Sequence, residues 1–102
     1  MKKSENVYVV LDWFDYDTND LSHSEDAFPI GITTSLDDAI KTAKQRAKEA
    51  KQEFVNDDFD ETSLIIREFE DNEHTNVEYA LGIYAETQGL LETIKIFKEK
   101  LL

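Results

Sequence analysis

Gly89-Leu90-Leu91-Glu92-Thr93-Ile94-Lys95-Ile96-Phe97-Lys98-Glu99-Lys100-Leu101-Leu102 is the stretch whose reading decides the fold. Leu90, Ile94, Phe97 and Leu101 recur at the spacing of one helical face, and Lys95, Lys98 and Lys100 suit the negative pole of a helix dipole. The spacing predicts a C-terminal helix over 90–102. An earlier segment begins in the same way. Ser35-Leu-Asp-Asp-Ala-Ile-Lys-Thr-Ala-Lys44 aligns with Gly89 to Lys98 in Leu, an acid, Ile, Lys and Lys. That match fits either a duplicated β-β-α unit or two amphipathic helices that converged on one pattern.

Ser35 followed by Asp38 resembles a capping box, and Asp37 and Asp38 place negative charge at the positive helix pole. The buried stripe of this first helix is Leu36, Ala39, Ile40, Ala43, Ala47, Ala50 and Phe54, with Lys41, Lys44, Lys48 and Lys51 outward. Its alanines imply close packing on a sheet. Residues 7–16 alternate as a strand, with Val7, Val9, Leu11 and Trp13 on one side and Tyr8, Val10, Asp12, Phe14 and Tyr16 on the other. Phe28, Ile30 and Ile32 mark a second strand, in which Pro29 calls for an edge position or a bulge. Leu64 to Glu70 and Val77 to Thr87 supply a third and a fourth, joined by a turn over 71–76. The expected fold is α+β in the order β-β-α-β-β-α. It is a single domain over 1–102: a four-stranded, mostly antiparallel sheet with two helices packed on one face in a two-layer sandwich.

Composition limits the function classes. There are 23 acidic against 11 basic residues, a formal charge of -12, no cysteine and three glycines. Such a charge repels phosphates and anionic lipids, so direct nucleic-acid or membrane binding is disfavoured. Without cysteine there is no disulfide and no thiolate metal site. The apolar run Val7 to Leu11, closed by Asp12, is too short for a secretion signal or a membrane span, and a cytoplasmic location is expected. Residues 57–92 hold eleven acids against a single arginine, Arg67, whereas both helix segments read as near neutral or basic.

The acids form three groups: Asp12, Asp15, Asp17, Asp20, Glu25 and Asp26; Asp57, Asp58, Asp60 and Glu61; and Glu68, Glu70, Asp71, Glu73 and Glu78. With helices on one sheet face, these groups are expected on the opposite face and at the hairpin tips, beside Tyr8, Phe14 and Tyr16. Aromatic rings among carboxylates suit an interface for Arg and Lys, or a homodimer contact.

Motifs for chemistry are sparse. Asp15, Asp17, Asn19 and Asp26 have the spacing of calcium-loop ligands, but Asp20 occupies the position where that loop needs Gly, and a strand precedes it instead of a helix. His23 and His74 lack zinc-pair spacing, and no nucleophile elbow, phosphate loop or dinucleotide fingerprint is present. No cofactor and no enzymatic activity are expected. In length, charge and lack of catalytic motifs the chain is similar to the small acidic phage or mobile-element inhibitors of the anti-CRISPR class. The resemblance matches no residue motif. It implies a cytoplasmic nucleic-acid mimic that occupies the basic channel of a CRISPR nuclease or its guide complex. The alternative is an antitoxin or immunity protein that neutralises a basic nuclease toxin.

Overall fold

A computed structural model of the chain describes residues 5–14, 27–72 and 74–101. The element order is β1 (Glu5–Phe14), β2 (Phe28–Thr33), α1 (Leu36–Asn56), a 3-10 turn (Glu61–Ser63), β3 (Leu64–Glu68), β4 (Val77–Ala85) and β5 (Gly89–Leu101). All five strands form one antiparallel sheet in the order β2-β1-β5-β4-β3. The expected four-stranded sheet with two helices on one face is therefore wrong. The segment read as the second helix is the central strand, and one helix covers the sheet.

The physical reason lies in residues 91–97, all seven of which are buried. A helix on a sheet buries one stripe, whereas a central strand flanked by ladders buries both of its faces. Ile94 and Ile96 face the helix, while Thr93, Lys95 and Phe97 face the other way. Thr93, Ile94 and Ile96 are β-branched, which restricts them in a helix and favours an extended backbone. Gly89, at φ +84°, supplies the left-handed residue with which the β4–β5 turn enters the strand.

Helix α1 starts where the sequence places it. Ser35 is extended, and its side chain accepts a hydrogen bond from the Asp38 N–H at 3.2 Å. Ala39, Ala43, Ala47 and Ala50 are buried against Val10, Leu81, Ile83, Ile94 and Ile96. At Gly31 even a Cβ would meet the Thr42 methyl at 3.2 Å, so the N-terminal half of the helix lies close upon β2. Phe54, at the other end, belongs to the same core as Leu64 of β3. The helix thus crosses the sheet diagonally. Five strands span about 19 Å at their usual spacing and a helix is about 10 Å wide, so two opposite corners of this face stay uncovered.

Residues opposite one another in the ladder share a face, which puts Tyr8, Val10 and Asp12 on the helix side. Val7, Val9, Leu11 and Trp13 lie on the other side with Thr93, Lys95 and Phe97. β2 is an edge strand, and its register against β1 shifts between Val10 and Leu11, where Gly31 and Pro29 are the successive partners.

The end of α1 is a Schellman motif: the Phe59 N–H bonds to the Phe54 carbonyl and the Asp58 N–H to the Val55 carbonyl, each at 3.0 Å. The Phe54 and Phe59 rings meet edge to face at 5.3 Å. Asp58 takes the left-handed position at φ 76°, where glycine is the unstrained choice. Asp58→Gly is expected to stabilise the protein by about 1 kcal/mol, through relief of backbone strain and of a negative charge at the negative helix pole. Urea unfolding should show a higher midpoint at unchanged slope.

Candidate functional site

Arg46 lies between Ala43 and Ala47 and their buried neighbours, so its guanidinium is carried inward to the sheet. There it meets three carboxyl groups from three elements. Its Nε donates to Asp12 at 2.8 Å and to Glu92 at 3.2 Å; Nη2 donates to Glu92 at 3.0 Å and to Glu53 at 3.2 Å; and Nη1 donates to Glu53 at 3.1 Å. Asp12 is 4% exposed and Glu92 is fully buried. A strand position opposite the helix puts each of them there: Asp12 follows Val10 in the helix-side row of β1, and Glu92 precedes Ile94 on β5.

One buried oxygen of each carboxyl, Asp12 Oδ1 and Glu92 Oε1, receives no hydrogen bond from any donor group. Both carboxyls converge on the Arg46 Nε, so the two acids crowd one another in a buried place. Burial, and then the Asp12 carboxylate beside it, push the Glu92 carboxyl up to about 9, against the opposing pull of Arg46. Burial would lower the Arg46 guanidinium, but Glu53, Glu92 and Asp12 outweigh it and hold the group more firmly protonated than usual.

An open cleft of about 610 Å³ adjoins this cluster in one of the two uncovered corners, lined by Asp12, Phe28, Ile30, Lys41, Thr42, Gln45, Arg46 and Glu49. Asp12 and Arg46 belong to both. A cleft with an apolar wall, converging polar groups and a displaced titration has the usual features of a ligand site.

The acids expected on the helix-free face are not gathered there. Among the described residues, that face carries Val7, Val9, Leu11, Trp13, Thr93, Lys95 and Phe97, with Glu99 opposite Val7 and Asp71 bonded to Lys95, and Ile32 of β2 is 69% exposed. Asp12 is buried on the opposite side, and Tyr8 packs against the core under the helix. Both positions follow from β1 presenting its even-numbered residues to α1. Phe14 ends β1. Asp15, Tyr16, Asp17, Asn19, Asp26, His23 and Glu73 lie outside the described residues, and so does the expected calcium loop. Among the described residues no group of three or more acids or histidines is arranged to hold a metal ion.

Asp57, Asp58, Asp60 and Glu61 are exposed at the C-terminal end of α1. The Glu86 N–H bonds to the Ser63 carbonyl at 3.1 Å, which brings exposed Glu86 of the β4–β5 turn to the same end. The sequence pattern did not join Glu86 to this group, because the contact depends on β3 pairing with β4. Glu68 and Glu70 are exposed at the far end of β3, and Glu68 accepts the Tyr79 hydroxyl at 2.6 Å, which together with burial raises that phenol. Asp71 turns inward. Its carboxylate, 3% exposed, takes Lys95 Nζ at 2.6 Å and His74 at 3.0 Å. Burial would raise Asp71, but the bonds from Lys95 and His74 outweigh it and hold it below the ordinary range. Lys95 also lies 5.3 Å over the Trp13 ring.

Two outcomes follow. Arg46→Leu leaves buried carboxylates without their cation and is expected to destabilise the fold by about 3–5 kcal/mol in urea unfolding. Between pH 4.5 and 9 the native state keeps the Glu92 proton that the unfolded chain has given up, so this stabilisation is complete below about 4.5 and fades as pH rises towards 9. Asp71 acts in the opposite sense, losing its contribution as pH falls through its lowered value. Thermal melts should therefore show highest stability at mildly acidic pH, and Glu92→Gln should flatten the decline on the alkaline side. No family model, no curated protein and no solved structure matches the chain.

Proposed function

We propose that this chain is an acidic inhibitory protein that docks on a basic, nucleic-acid-binding surface of another protein, in the manner of the anti-CRISPR class against a CRISPR nuclease. The observation that carries this reading is the end formed by Asp57, Asp58, Asp60, Glu61 and Glu86. Those five carboxylates are exposed, and no ion pair among the described residues engages them. They surround the C-terminus of α1, whose last turn carries no basic residue. The helix carbonyls therefore add to the negative field instead of offsetting it.

Part of this arrangement opposes folding. Asp57 and Asp58, at the negative helix pole, each cost roughly 0.3–1 kcal/mol, and Asp58 adds left-handed strain, whereas Asp60 caps the 3-10 turn by accepting from the Thr62 N–H at 3.1 Å. Sequences that break local rules without a stabilising return do so most often at functional positions. A carboxylate array of this kind replaces phosphates in a groove lined by Arg and Lys, steered there by opposite fields. Charge of the same sign excludes nucleic acid itself as the ligand.

The test is cleavage by a CRISPR nuclease, with affinity measured from about 0.1 to 1 M salt, over which the Debye length shrinks from about 10 to about 3 Å. Binding is expected to weaken steeply with salt. Joint reversal of Asp57, Asp58, Asp60 and Glu61 to Lys should weaken it by about 100-fold or more, against a small effect of Glu78→Lys at the other end of the sheet. Affinity indifferent to salt, or equal effects of the two reversals, contradicts the proposal.

A further inference from the structure

The corner cleft between β2 and α1 has a chemistry of its own. Its wall is Phe28, which is 54% exposed, with Ile30 beside it. An exposed aromatic ring at the mouth of a cleft is poorly placed for folding and well placed for a ligand. Among the described residues, the charged groups facing the cleft or the cluster beneath it are Asp12 from β1, Glu92 from β5, and Lys41, Arg46, Glu49 and Glu53 from α1; β2 contributes none. Arg46 is already held by three carboxyls through all three of its nitrogens. Among the described residues, four carboxyl groups thus stand around the cleft and its cluster against two cations, one of them Lys41 on the exposed rim.

We propose that this cleft receives one basic side chain of a protein partner, an arginine or lysine, seated against the Phe28 ring and drawn in by the surplus of carboxyl groups. The inference rests on the reading of the partner as a basic protein and adds a second, more specific point of attachment, in a different corner from the acidic end. Cations are attracted to the face of an aromatic ring, and the neighbouring carboxylates supply the charge complement. An uncharged group of the same shape lacks both attractions.

The raised Glu92 carboxyl, which meets Arg46 beside Asp12 at the edge of the cleft, gives the site a signature. A cation entering beside Asp12 favours the ionised form of Glu92, so the proton leaves to solvent as the ligand binds. Affinity is then expected to increase with pH over the range in which the free protein holds that proton, by up to about tenfold per pH unit.

The experiment is an NMR titration of the whole chain with N-acetyl-arginine amide, read at Phe28, Thr42 and Gln45, and repeated with the uncharged isostere N-acetyl-citrulline amide. The arginine compound should give saturable shifts at these residues, tighter at pH 8.5 than at pH 6, and should bind more tightly than citrulline. Phe28→Ala and Glu49→Gln, both at exposed positions, should each weaken it several-fold, and Glu92→Gln should abolish the pH dependence. Equal binding of citrulline, affinity in the native chain that does not change with pH, or no saturable shift overturns the inference. Failure here with salt-sensitive docking through Asp57 to Glu61 intact removes the cleft and leaves the proposed function standing.

Discussion

The double ladder around β5 is the constraint on which the rest of the structure depends. Because this strand bonds β1 on one side and β4 on the other, every residue from Leu91 to Phe97 is enclosed. Ile94 and Ile96 then anchor the core under α1, each worth about 1.5–3 kcal/mol of apolar burial. The same placement carries Glu92 into that core, where an acid is tolerated because Arg46 bonds it and burial favours its protonated form. A sheet of five strands is also wider than one helix can cover, and the two exposed corners follow from that mismatch.

Much of the fold is legible in the amino-acid order, and the failure has a local cause. Ser35, Asp38 and the alanine stripe define α1 because capping and helical period agree there. In β5 the two signals conflict. Leu90, Ile94, Phe97 and Leu101 happen to lie at helical spacing, while a strand buried on both faces shows no alternation to compete with it. The contrary signal was the β-branched content of Thr93, Ile94 and Ile96, together with Gly89 at the turn. Once that segment is extended, the expected open acidic face becomes largely apolar, and exposed acids lie at the ends of the sheet.

The site was legible only in part. Asp57, Asp58, Asp60 and Glu61 form a group in sequence as they do in space, because a connector keeps its neighbours together. Glu86 could not be added without the strand order. Arg46 carried a signal: it falls between inward-facing alanines, where an arginine needs buried partners. Its partners Asp12 and Glu92 are far from it along the chain, and no spacing rule links them. A buried ionic cluster of this kind contributes less to stability than its short distances suggest, since desolvation offsets attraction. Through its bonds to Asp12 and Glu92, Arg46 ties α1 to β1 and β5.

The most direct measurement is the backbone conformation of residues 89–101 in solution by NMR. The account predicts strand-type Cα shifts throughout, with cross-strand contacts from Val10 to Ile96 and from Leu81 to Ile94. Helix-type shifts over this segment, with contacts between residues three apart such as Ile94 and Phe97, would contradict it and with it the buried carboxyl pair, the diagonal helix and both corners.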